Sequence, residues 1–216
     1  MELILGIVVL VFSAILHEIA HGYVADRLGD PTARIMGRLT LDPRKHIDPF
    51  FSIILPLLLI VSGSPVIFGG AKPVPVDPFN LREGRKDLAL VSLAGPLTNV
   101  VLAIIAALFL KFLPLLVGTN QALIFSGGFV FARLLFNTIV NYNLLLAIFN
   151  LLPIPPLDGS KVFSLLLPQR ESAVYLSLGQ FGIFILLFLL AFPIAGFSLE
   201  AFMYNLFILA RSFLGM

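Results

Sequence analysis

The chain contains no cysteine, which excludes disulfides, thiolate nucleophiles and cysteine-ligated metal sites. Charge is also scarce: Asp, Glu, Lys and Arg make up 12% of the 216 residues, about half the share usual in soluble domains. No internal repeat and no low-complexity tract is visible. The net charge of +2 and a pI near 9.1 do not indicate a nucleic-acid partner, because in a chain this apolar the placement of the positive charges matters more than their sum. A glycine-flanked pair of catalytic aspartates is missing, and so is a serine with a histidine partner.

Apolar residues fill this space. They form 59% of the chain, and the mean hydropathy is +1.04, which places the protein in lipid. Apolar runs fall at about 2 to 22, 50 to 68, 89 to 112, 127 to 149, 173 to 192 and 198 to 214, each near the length that crosses a hydrocarbon core of about 30 Å. The expectation is an all-α polytopic membrane protein with about five to six membrane segments, forming one domain over residues 1–216. The first run, Leu3 to Leu16, lacks a positive flank and a small-residue cleavage site, so it is expected to stay attached.

The run at 50 to 68 is interrupted by Pro56 and by Ser62-Gly63-Ser64-Pro65, and its unbroken part is short for a crossing. Both loops beside it are basic. Arg27, Arg34, Arg38, Arg44, Lys45, Lys72, Arg82, Arg85, Lys86, Lys161, Arg170 and Arg211 all lie in or beside three connections and the C-terminus. The positive-inside rule makes these regions cytoplasmic. Segment 50–68 is therefore expected to be re-entrant, and the uncharged N-terminus to lie outside. Residues 33–43 read as a short strand ended by a turn, and 66–68 with 72–78 as a second extended piece confined by its prolines to an edge. This is the small β-element of the expected fold.

The chemistry starts at His17-Glu18-Ile19-Ala20-His21. An H-E-x-x-H on a helix puts two imidazoles on one face, about 5–6 Å apart at Cβ, where they can chelate one ion. Zinc suits two neutral imidazoles and a carboxylate, with the adjacent Glu18 able to take a proton from water. At membrane depth a charged group costs on the order of 2.5–3.5 kcal/mol, so three ionisable groups together require a partner or a function. The alternative is that groups at a helix end snorkel to water.

A third ligand is offered by Asn150-Leu151-Leu152-Pro153-Ile154-Pro155-Pro156-Leu157-Asp158-Gly159, in which proline and glycine force an irregular turn that can aim Asp158 back at the helix face. Asp158 could instead cap a short helix over 159–167. Asn137 and Asn141 share a helix face and can bond a neighbouring helix or line a water path. Asn143 is a further polar residue of the same run. His46 lies in a basic loop and needs no metal role.

With both motifs in this order between these apolar segments, the chain resembles the site-2 protease family of intramembrane metalloproteases. The resemblance covers about residues 3–165 and implies one Zn²⁺ per chain on His17, His21 and Asp158. It also implies Glu18 as catalytic base and Asn150 as the group that stabilises the reacting carbonyl. Ala94-Gly95-Pro96-Leu97-Thr98-Asn99 is similar to the family's glycine and asparagine motif. It makes Asn99 a substrate contact, or else an amide that bonds between helices while Gly95 allows close packing. The resemblance is to the compact form, without a PDZ or nucleotide-sensing domain, and residues 173–214 are accessory.

The implied activity is hydrolysis of a peptide bond in or near a transmembrane segment of a membrane protein or peptide, in a prokaryotic cell membrane, with the site on the cytoplasmic side. Edge pairing with the 34–41 strand is expected to compensate a substrate's lost helix. A metal-ion transporter with His17, Glu18, His21 and Asp158 as a transit site is the rival reading. Against it stands the clustering of ionisable groups toward one side of the membrane. Oligomeric state has no sequence signature here.

Overall fold

The computed structural model describes residues 1–49, 71–118, 126–194 and 196–216, with isolated positions at 54, 58 and 61. The re-entrant segment expected near 50–68 and the extended piece at 66–68 lie outside the described residues, apart from those isolated positions. Among the described residues the α-helices are α1 Glu2–Arg27, α2 Thr32–Ile35, α3 Arg85–Val117, α4 Gly127–Asn150, α5 Asp158–Phe163, α6 Gln169–Ser177, α7 Gly182–Ala191 and α8 Leu199–Phe213.

Among the described residues, four helical stretches are long and apolar enough to cross a membrane: Glu2–Arg27, Arg85–Leu115, Gly127–Asn150 and Gln169–Ala191. The last joins α6 to α7 through a 3-10 turn at Leu178–Phe181. The expected segment at 198–214 is corrected here, since α8 has 15 residues and measures about 22 Å, short of a core of about 30 Å.

The β-element is corrected as well. Among the described residues there is no strand, only an isolated bridge between Ile194 and Phe197. Residues 32–35 close a helical turn behind Pro31, and Gly37 takes a left-handed φ of 63°, which ends any extended run through 33–43. The facing piece at 72–78 pairs with no strand among the described residues, and its Val74 N–H donates to a side chain, Glu18, instead of to a ladder.

α1 shows how the bundle is built. Its buried residues include Gly6, Val9, Ser13, His17 and His21, a stripe at helical spacing, while Leu3, Ile4, Ile7, Val8 and Phe12 are exposed and suit lipid. α1 packs on α3 and α4, and α3 on α4 and α5. The α3–α4 core is Ala103, Ala106 and Ala107 against Val140 and Leu144, and the small side chains let the two helices approach closely. α8 covers this cluster with Phe207 and Ala210, and the residue that follows it, Leu214, packs there too. A second cluster joins Leu152 and Leu157, on the turn between α4 and α5, to Leu186 of α7 and Leu199 of α8. The accessory region thus buttresses the turn that carries Asp158.

Candidate metal centre

The carboxyl end of α1, the amino half of α3 and the short α5 meet at one end of the bundle. His17 and His21, one turn apart on α1, hold their rings edge to face with centroids 4.6 Å apart. Their Nε2 atoms stand 3.0 Å apart, and Asp158 Oδ2 lies 3.2 Å from that of His17 and 3.1 Å from that of His21. All three side chains are buried. They form a group able to hold a metal ion, with one ligand atom from each.

The donor set fits zinc. Ligands at about 2.0 Å around a tetrahedral ion stand roughly 3.3 Å from one another, close to the three spacings found. The neighbouring backbone leaves room: a Cβ at Gly95 would sit 2.5 Å from both Nε2 atoms, a distance no side chain could hold. His21 donates its Nδ1 proton to the Val91 carbonyl at 2.7 Å, which leaves its Nε2 lone pair for the ion.

Asp158 opens α5, yet its carboxylate does not cap that helix. Oδ2 faces the histidines, and Lys161 Nζ donates to Oδ1 at 3.2 Å. Burial by itself would raise the pKa of this carboxyl, but the imidazoles of His17 and His21 and the Lys161 charge beside it hold it far below the usual carboxylate range. An ionised Asp158 is the form that binds a cation. Gly159 is required beside it, since a Cβ there would fall 2.2 Å from the Leu151 carbonyl oxygen. Arg85, at the start of α3, donates from Nη2 to the carbonyl of Ser164 and, at 2.8 Å, to that of Leu167. It ties the segment that follows α5 to the helix that carries Gly95.

Glu18 lies about 60° round α1 from His21, where the Val74 backbone N–H donates to Oε2 at 2.7 Å. Val74 belongs to an extended strap, residues 71–77, that lies across α1 where Gly22 offers no side chain. A Cβ at Gly22 would meet Val74 Cγ1 at 2.8 Å. Three buried polar residues hold the strap. Asp30 accepts from the Asp77 N–H at 2.7 Å and from Asn80 Nδ2 at 3.0 Å, Arg38 donates to the carbonyls of Lys72 and Pro73 at 2.9 and 3.3 Å, and the His46 carbonyl accepts from Lys72 N–H at 2.7 Å.

Sequence reasoning passed over Asp30 and Arg38 because both read as ordinary loop charges. The signal available was Asp30-Pro31-Thr32, an Asx-type turn that the structure forms through the Thr32 N–H and hydroxyl. His46 is buried, its Nε2 donating to the Thr40 carbonyl at 2.8 Å, and it is not part of the metal cluster found among the described residues.

The two asparagines singled out from sequence are placed differently. Asn99 is buried and accepts from His17 Nδ1 at 2.6 Å. Asn150, half-buried at the end of α4, donates to the Leu146 carbonyl at 3.0 Å and is not bonded to the cluster. Of the paired positions in α4, Asn141 accepts from Arg211 of α8 at 2.9 Å.

Comparison with known proteins agrees with this site. The model of Peptidase family M50 matches residues 5–192. YwhC of Bacillus subtilis, provisionally named a zinc metalloprotease, is 38% identical over 193 residues, 89% of this chain and 83% of its own length. Rip2 of Mycobacterium tuberculosis, named in the same way, is 36% identical over 185 residues, 85% of this chain and 64% of Rip2, so the chain spans a little under two thirds of that relative. MJ0611 of Methanocaldococcus jannaschii, again so named, is 38% identical over 106 residues, 49% of this chain and 47% of its own. No solved structure matches the chain.

Proposed function

The chain belongs to peptidase family M50, the site-2 protease family of zinc metalloproteases, and from that premise we propose that it is an intramembrane endopeptidase, hydrolysing a peptide bond in or near a transmembrane segment of a membrane protein. The observation that carries the reading is the convergence of His17 Nε2, His21 Nε2 and Asp158 Oδ2 on one point at a bundle end, in a chain whose described residues include four helices able to span a bilayer.

One Zn²⁺ per chain would be held by these three atoms, and it would supply a Lewis acid that brings the pKa of water to about 7 and polarises a carbonyl. Glu18 is the base: its carboxylate, oriented by the Val74 N–H, takes the proton of the attacking water and returns it to the leaving amine. Asn150 can turn from the Leu146 carbonyl to donate to the reacting carbonyl oxygen. Asn99 faces His17 and serves the metal ligand.

The substrate must unwind at the cleaved bond, because a helical peptide carbonyl is engaged by the N–H four residues on and is sterically covered. The basic loops around α2 and before α3 put the site on the cytoplasmic side. Residues 1–216 act as one unit, with a catalytic part over about 3–165 and α6 to α8 as its support.

The test is cleavage of a model membrane peptide in proteoliposomes. Glu18→Gln should keep its zinc and lose about 10²- to 10⁴-fold in rate, the usual contribution of a positioned base. Cleavage at the wild-type rate would refute Glu18 as base. Zinc uptake into the same vesicles without cleavage would favour the transporter.

A further inference from the structure

Behind His17, Asn99 opens a chain of buried polar groups whose further members have no part in the roles above. Asn99 of α3 and Asn143 of α4 are both 0% exposed. Asn99 Nδ2 donates to Asn143 Oδ1 at 2.8 Å, and Asn143 Nδ2 donates both to Ser13 Oγ of α1 at 2.9 Å and to the Ile139 carbonyl at 2.9 Å.

The direction of this chain is set at its far end. A backbone carbonyl can only accept, so Asn143 must present Nδ2 to Ile139 and therefore Oδ1 to Asn99. Asn99 must then present Nδ2 to Asn143 and Oδ1 to His17. An amide oxygen facing Nδ1 requires that Nδ1 carry the proton, which leaves Nε2 bare toward Asp158 and His21. Turning Asn143 over would set two acceptors against each other at Ile139 and reverse every bond in the series. The proton would end on Nε2, the atom that must be free to bind a cation.

We propose that Asn143 is a positioning residue that selects the metal-binding tautomer of His17 through Asn99, taking its own orientation from the Ile139 carbonyl. The proposal rests on the reading of His17 as a zinc ligand, but the tautomer itself is a property of the metal-free protein. α4 thereby acts on a histidine of α1 through an amide of α3.

The experiment is ¹⁵N NMR of the full chain in detergent, metal-free, at about pH 9, above the ordinary imidazole range, with His17 assigned by its loss in a His17 variant. Wild type should carry the proton on Nδ1. Asn143→Leu should move part or all of it to Nε2 and weaken zinc binding 10- to 100-fold in a chelator competition. Asn99→Leu should do the same, and the double variant should be no worse than either single, as expected for residues acting in series.

Two results overturn the relay: a wild-type His17 with its proton on Nε2, which needs no variant to fold, or a folded Asn143→Leu protein whose His17 stays protonated at Nδ1, whatever its zinc affinity. A wild-type chain that takes up no zinc would contradict the metal assignment and leave the tautomer result standing.

Discussion

At the scale of single residues, the centre depends as much on an absent side chain as on those present. Gly95 faces both Nε2 atoms so closely that a methyl group there would crowd the two atoms that would hold the ion. Gly95→Ala should therefore fold, since alanine favours a helix over glycine, yet fail to hold zinc. Metal analysis beside a thermal melt checks this, and a variant with full zinc would show that the ion sits elsewhere. The grouping of the two histidines with Asp158 was legible in the sequence because residues able to hold one ion must be of particular types at particular spacings. Glycine in a helix has many causes, and the sequence alone assigned Gly95 only to close packing. Asn143 read as one polar residue among several, because nothing in one helix's sequence reveals which amide on another helix it will meet.

At the scale of elements, the strap over 71–77 is the part that sequence reading described least well. Its extended character was legible from Pro73, Pro75 and Pro78, but a strand partner was assigned to it at 33–43, where the chain forms α2 and turns at Gly37. The strap is instead held by isolated buried polar groups, which leave no periodicity to read. Asp30 is the main one. Its burial opposes ionisation, but bonds from Thr32, Asn80 and the Asp77 N–H outweigh that and hold its carboxyl below the ordinary value.

A carboxyl with a lowered folded-state pKa stabilises the fold fully above its unfolded value of about 3.9 and loses that contribution as pH falls through the folded one. Asp30→Asn should be less stable than wild type at neutral pH and show a shallower decline below about pH 4, measured by thermal unfolding in detergent. Each buried donor left unmet costs about 1–3 kcal/mol. Because the strap also orients Glu18 through Val74, the same variant should lower kcat while keeping its zinc. Equal acid sensitivity in the two proteins would show that Asp30 does not carry this load.

At the scale of the whole molecule, the bundle brings to one end groups that lie 141 residues apart in the chain. Membrane character and helical class were legible from hydropathy, since long apolar runs have few other uses. Segment number was less so, because α8 is apolar enough to suggest a crossing but has 15 residues and lies on the α3–α4 core. The purpose of α7 and α8 was not legible at all. It rests on tertiary packing of Leu186 and Leu199 against Leu152 and Leu157, beside the aspartate that completes the site.

The most direct measurement is the zinc-to-protein ratio of the purified full chain and of its Asp158→Ala variant, each loaded with zinc and then dialysed against a mild chelator. One ion per wild-type chain and a small fraction of that in the variant is the predicted result. An Asp158→Ala protein that keeps a full equivalent of zinc would contradict the three-residue centre and the mechanism built on it.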